Sequence, residues 1–305
     1  MLGIGLETAR RLTELNANKV ILACRSIERG EQAKKDIEET TEKHNVVEVW
    51  QLDLASYDSV KEFAMRVRGL ERVDALINNA GLLTFNREMV EGHESALTVN
   101  VISMALLTLL VLPALRQTMV RFNIVPRITI VSSDASFDVS FLCTLSELRL
   151  TKKGRLPTTE ANIFEALDAQ PSVLEHYGKT KLIQTMFMLQ LSQAADASGK
   201  GHIIVNAVHP GFCGTQLFKN VAFPFTLFFY GLVALLGRTA ETGARVLLSG
   251  VFAGEEMHGK FLFNGEEREF PKCMQGIEGE KLNKRVWEEL LELLEEIEPG
   301  VTDNI

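Results

Sequence analysis

The sequence predicts an α/β protein built on a doubly wound parallel sheet, in a single domain spanning residues 1–305. Two observations carry that expectation. Short apolar runs alternate with longer amphipathic segments almost from end to end, the pattern of strands and crossover helices. No Ser/Gly/Pro-rich stretch, internal repeat or block of like charge marks a linker. A third observation concerns function: the polar motifs stand just after the apolar runs, at the strand ends where such a sheet binds its ligands.

The chain opens "MLGIGLETAR", with Gly3-Ile4-Gly5 leading into an amphipathic helix at about 6–15. Glycines in this setting let the backbone approach a pyrophosphate, whose charge then lies against the helix N-terminus. Such a turn follows a strand, yet only Met1 and Leu2 precede it, so the first strand of the architecture is expected to be missing. Strands are then expected at 19–24 ("KVILAC"), 46–53, 73–78, 128–132, 203–209 and 260–263, and helices at 27–43, 56–70, 94–121, 171–197 and 239–253. Near the C-terminus Leu282, Val286, Leu290, Leu294 and Ile297 fall near helical spacing, which predicts an amphipathic helix packed on the surface.

A formal charge of -8 argues against a nucleic-acid partner, because neutralising phosphates takes clustered Lys and Arg. Cys24, Cys143, Cys213 and Cys273 are scattered without C-x-x-C spacing, so no metal site and no disulfide framework is expected; buried reduced thiols in a cytoplasmic protein are. The first residues have neither a basic region nor an apolar core of a signal peptide. Ser95 to Leu115 carries no charge, but Asn100, Ser103 and Thr108 inside it favour a helix buried in the core over a membrane span. The apolar segment 221–236, containing "FPFTLFFY", is open to three readings: a lid over a lipophilic substrate, a peripheral membrane contact, or core.

Four motifs carry the chemistry: "NNAG" at 78–81, "VSSDAS" from Val131, "YGKTK" from Tyr177, and "HPGFCGT" from His209. Tyr177 and Lys181 are four apart and share a helix face. A free tyrosine titrates near pH 10, and an adjacent ammonium is expected to lower that value, so that the phenol can exchange a proton with a substrate oxygen. His176 and His209 have no second His, Asp or Cys at ligand spacing and read as structural, while Asp134 and Asp138 read as loop residues.

In this order the motifs resemble the short-chain dehydrogenase/reductase family, from Gly3 to about Phe263. The long stretch 134–176 resembles most the retinol-dehydrogenase-like and fungal secondary-metabolism branches. The resemblance implies a Rossmann-like fold and a catalytic set of Ser133, Tyr177, Lys181 and Asn100. In that set Ser133, preferred over Ser132, steadies the substrate oxygen, and Asn100 supports a water relay to the lysine. It also implies a nicotinamide cofactor held by Gly3, Ile4, Gly5, Arg25, Asp53, Asn79, Ala80, Gly81, Tyr177, Lys181, Pro210, Gly211 and Thr215. In this family an acid after the second strand favours NAD, and an arginine can pair with the 2'-phosphate of NADP. Here Arg25 follows Cys24 with no acid until Glu28, so NADP(H) is preferred over NAD(H).

The family turn reads T-G-x-x-x-G-I-G, and this chain keeps only its end. With the catalytic set complete, a start placed too late is favoured over a decayed copy. The expected function is an NADP(H)-dependent oxidoreductase interconverting a small lipophilic ketone or aldehyde and its alcohol, as a homo-oligomer. The alternative is a non-catalytic nucleotide-binding or regulatory protein of the same fold, or an inactive truncated copy.

Overall fold

The computed structural model describes residues 3–84, 86–137, 162–169, 173–213 and 237–305. Cys143, Asp138, Thr215 and the apolar segment 221–236 lie outside the described residues. The first half runs α1 (Ile4–Glu14), β1 (Val20–Cys24), α2 (Ile27–Thr41), β2 (Val47–Gln51), α3 (Tyr57–Arg68) and β3 (Ala75–Asn78). Ser26 and Ser56 start α2 and α3, each hydroxyl accepting from the N–H three residues on.

A two-residue hairpin, β4 (Met89–Val90) and β5 (His93–Glu94), then feeds a continuous helical run. It comprises α4 (Ser95–Leu97), a π turn (Thr98–Ile102) and α5 (Ser103–Phe122). This run is long and apolar enough to cross a membrane, but it is the buried centre of the core. Beyond it come β6 (Arg127–Val131), α6 (Ile163–Asp168), α7 (Val173–Ala197), β7 (Ile204–His209), α8 (Ala240–Val251), β8 (Phe261–Phe263), β9 (Glu266–Arg268) and α9 (Gly276–Ile297). The C-terminal helix is more than a surface cover: Val286, Leu290 and Leu294 are fully enclosed in the main core.

The strands form an α/β sheet that is parallel apart from its edge hairpin, in the order β3-β6-β7-β8-β9, with β8 and β9 antiparallel. A separate parallel pair, β1-β2, stands beside it. Among the described residues no strand joins β1 to β3. The β1-β2 pair shares a small apolar cluster with α1 and α2, built on Leu6, Val20, Leu22, Ile37 and Val47. Contact with the remainder runs partly through α1 against α8. There Gly243 lets Ile4 and Cys213 come close, since a Cβ at that position would sit 3.0 Å from the Ile4 side chain and 2.7 Å from the Cys213 sulfur.

The unjoined edges carry a testable consequence. Val20 N–H bonds the Val46 carbonyl, and Arg127 N–H bonds the Asp74 carbonyl. Alternate residues of a parallel strand face opposite neighbours, so the amides of Ile21, Ala23, Ala75 and Ile77 face away from their partner strands. They are expected to exchange with deuterium at least about a hundredfold faster than the amides of Val205 and Ala207, which lie fully buried in β7. Equal protection on hydrogen-exchange NMR would mean that these edges are paired in solution.

Candidate active site

The C-terminal ends of β3, β6 and β7 converge on the first half of α7. Tyr177 and Lys181 both lie on α7 and are both buried, with the ammonium nitrogen 5.8 Å from the centre of the phenol ring. At the end of β6 the two serines part company. Ser132 is buried and turned into the helix, its hydroxyl on the Lys181 carbonyl (3.2 Å) and the Thr185 hydroxyl (3.0 Å). Ser133 stands by the Tyr177 phenol and draws its titration down, and its hydroxyl accepts from Ala135 N–H.

Asn100 sits in the π turn, where Ser103 N–H reaches the carbonyl five residues back. Local widening of this kind is frequent at functional sites. The Asn100 amide clamps the loop after β3, accepting from Leu82 N–H (2.7 Å) and donating to the Leu82 carbonyl (3.0 Å). It donates also to Thr180 Oγ1 (3.0 Å), whose hydroxyl bonds the Tyr177 carbonyl. The helix asparagine therefore ties the NNAG loop to the tyrosine's own helix turn.

One expectation is corrected. Burial is the largest influence on both α7 groups: it pushes the Tyr177 phenol up to about 12, against the opposing pull of Ser133, and brings the Lys181 ammonium down to about 7. Lys181 donates to the Val131 carbonyl (2.9 Å) and to Gln184 Oε1 (2.8 Å), two neutral acceptors. It does not lower the phenol's value in this arrangement, because desolvation outweighs the attraction that spacing alone predicts. Gln184 was not among the expected site residues.

Both site histidines have acids supplied from distant sequence, which spacing could not reveal. His176 Nε2 lies 2.7 Å from Glu94 Oε2, with both side chains buried. His209 Nε2 lies 2.8 Å from Asp134 Oδ2, and Arg268 also pairs with Asp134. The His209 hydrogen bond, reinforced by Arg268, holds the Asp134 carboxyl below the usual range against the opposing effect of burial. Asp134 is thus a clasp between the ends of β6 and β7 rather than an idle loop residue. Phe263 stacks on the His209 ring at 5.3 Å, and Phe137, just past Ser133, packs edge-on against Phe261.

The cofactor positions are spread around this centre. Gly3 (φ +98°) begins α1, whose first N–H groups have no side-chain cap. Arg25 is exposed at the end of β1, Asp53 follows β2, and Ala80 and Gly81 are exposed after β3. A Cβ on Gly81 would stand 3.3 Å from Lys181 Nζ, so the bare backbone leaves that approach open. Pro210 and Gly211 follow β7, with Gly211 (φ +86°) held against Arg238. Uncapped helix N–H groups, an exposed arginine and a glycine beside a buried lysine are a donor set that suits a phosphorylated dinucleotide.

Among the described residues, Asp196, His202 and His258 bring ligand atoms within 4.8 Å of one another. The hydrogen bonds there oppose a metal. Val205 N–H donates to His258 Nδ1 (3.1 Å), which leaves the ring proton on Nε2, 3.3 Å from Asp196 Oδ2. A metal on Nε2 would need that proton on Nδ1 instead, against the Val205 N–H. Cys213 is buried, Cys24 is half-buried and Cys273 is exposed, so the expectation of buried thiols holds for one of these three.

Comparison with known proteins finds relatives along nearly the whole chain. A family profile described as short chain dehydrogenase matches residues 1–144. The short chain dehydrogenase/reductase dmxR8 of Cryptosporiopsis sp. (strain 8999) is 37% identical over 99% of this chain and 90% of its own length. The short-chain dehydrogenase anuD of Penicillium roqueforti is 35% identical over 98% and 76%. A short-chain dehydrogenase from Sphingobium yanoikuyae, solved in complex with NADPH, superposes with a TM-score of 0.59 at 22% identity, covering 86% of this chain and 83% of that one. A mostly parallel sheet with polar loops at its strand carboxyl ends is the α/β architecture that binds dinucleotides. The chain belongs to the short-chain dehydrogenase/reductase family, oxidoreductases that act on CH–OH groups with NAD(P).

Proposed function

We propose that the chain is an NADP(H)-dependent oxidoreductase that interconverts a lipophilic ketone or aldehyde and the corresponding alcohol in secondary-metabolite biosynthesis. The observation that supports this most is the grouping of buried Tyr177 and Lys181, one helical turn apart with the ammonium 5.8 Å from the ring, beside Ser133 at the end of β6. Gly3, Ile4, Gly5, Arg25, Asp53, Asn79, Ala80, Gly81, Pro210, Gly211 and Thr215 would hold the cofactor, which supplies or takes up hydride when bound. Ser133 orients the substrate oxygen and donates to it as negative charge develops. Tyr177, with its phenol at about 12, stays protonated at neutral pH, the state required of a proton donor in carbonyl reduction. Asn100 and Lys181 hold the helix turn on which the phenol sits.

Phe137 and Phe263 beside Ser133 and His209 favour an apolar substrate, and the fungal origin of the two relatives favours secondary metabolism. Preference for NADP(H) rests on Arg25, and the NADPH in the Sphingobium structure is in keeping with it.

Purified protein is expected to oxidise NADPH with 9,10-phenanthrenequinone or decalone and not with xylose or glucose; turnover of the sugars alone would overturn the lipophilic reading. Arg25→Asp is expected to raise KM for NADPH by at least about tenfold and leave that for NADH unchanged or lower, since a charge-assisted contact contributes about 1.5–3 kcal/mol. An equal effect on both cofactors would remove Arg25 from that role. The unjoined β1 and β3 edges favour a second reading, a nucleotide-binding protein without turnover, and the Tyr177 variant decides between them.

A further inference from the structure

We propose that Gln184 is a positioning residue of the proton-handling cluster, its side-chain amide joining the Lys181 ammonium to the Asn100 backbone carbonyl and so setting the charge state of the lysine. The proposal rests on the oxidoreductase reading for its consequence and on geometry for its support. Gln184 lies one turn beyond Lys181 on α7 and is fully buried. Its Oε1 accepts from Lys181 Nζ at 2.8 Å, and its Nε2 donates to the carbonyl of Asn100. An ammonium only donates and a carbonyl only accepts, so the amide has one workable orientation; flipping it would set nitrogen against nitrogen and oxygen against oxygen.

The partner on the far side is equally specific. Asn100 lies inside the π turn, where the regular helical ladder is broken and a carbonyl is open to groups from another element. The same residue therefore acts twice, through its side chain on Leu82 and Thr180 and through its backbone on Gln184. The Lys181 ammonium meets the Tyr177 ring and Gln184 from its own helix and the Val131 carbonyl from the end of β6, with Gly81 of the loop after β3 close by, while Ser132 bonds the lysine's backbone carbonyl. Among the described residues no carboxylate is paired with it, and burial lowers its titration. Two neutral oxygens hold the proton on the lysine, and Gln184 supplies one of them.

The test reads the lysine directly. Protein carrying 13C at the lysine ε-carbon is titrated by NMR without substrate or cofactor, with the Lys181 signal assigned by its loss in Lys181→Arg. Gln184→Met keeps the volume and removes both hydrogen bonds, and is expected to lower the Lys181 midpoint by about one pH unit, a tenfold change in its ionisation constant. Gln184→Glu keeps an oxygen on the lysine and is expected to hold the midpoint at or above that of the unmodified protein. A Met variant with an unchanged midpoint, or a Glu variant with a lowered one, overturns the proposal, because a side chain that merely fills space would not give this ordering. If Gln184→Met does not purify folded, the Glu variant decides alone by the same criterion. Failure to turn over 9,10-phenanthrenequinone with NADPH would count against the oxidoreductase reading and leave the titration result standing.

Discussion

Tyr177→Phe is expected to lower kcat for NADPH-dependent reduction by about 10²–10⁴-fold, the range a positioned general acid contributes. The ring stays and only the hydroxyl goes, so the buried packing is kept. NADPH affinity, read from the fluorescence of the bound nicotinamide, should change by less than about threefold, because the lost group acts on the reaction more than on binding. Removing the hydroxyl also frees Ser133 of its phenol partner, so some of the loss will come from the serine. A variant as active as its parent would exclude Tyr177 as the proton donor. Binding of NADPH with no turnover in either protein would favour the non-catalytic reading.

Glu94→Gln is expected to cost about 2–3 kcal/mol of stability near pH 7, the worth of a hydrogen bond to a charged group in a buried site. Burial by itself would raise the Glu94 carboxyl. The nearby His176 ring, together with the N–H groups of Ala96 and Leu97, outweighs that and holds it below the ordinary 4.5. The sign follows from linkage. A depressed carboxyl contributes stability that is present above the unfolded value of 4.5 and is lost as pH falls through the lower folded value. Urea unfolding of the two proteins should therefore differ most at neutral pH, and the difference should shrink progressively as pH falls below 4.5. A difference that did not shrink in acid would mean that the ionised carboxylate is not the source of the effect. The pair also bears on catalysis, for His176 immediately precedes Tyr177 and Glu94 starts the helical run that carries Asn100.

The alternation of apolar runs located the strands within two residues or so, because burial on both faces of a parallel sheet leaves little freedom in composition. The short polar pairings, Met89–Glu94 and Glu266–Arg268, left no such trace and escaped notice. At the site, the preference for Ser133 over Ser132 could come only from resemblance, whereas the structure turns the Ser132 hydroxyl onto the Lys181 carbonyl and Thr185 and leaves Ser133 by the phenol. Gln184 was within reach: three residues past Lys181 it shares the lysine's helix face, the same rule that linked Tyr177 to Lys181. The π turn was not, since one extra residue in the ladder does not alter the apolar pattern from Ser95 to Leu115. Nor was the titration of Lys181, which is lowered by burial among elements distant in sequence.

The sheet's division into two pieces bears on cooperativity. A unit of β1, β2, α1 and α2 has its own small cluster and meets the larger core through Trp50 and Ile21, so its opening strips Trp50 from Phe63 and unfolding is expected in more than one step. A dinucleotide gripped by Arg25 on one piece and Lys181 on the other would bind only the closed arrangement. It would then stabilise the joined form by RT ln(1 + L/Kd), with L its free concentration, and the melting of the first unit would track cofactor supply while that of the second would not.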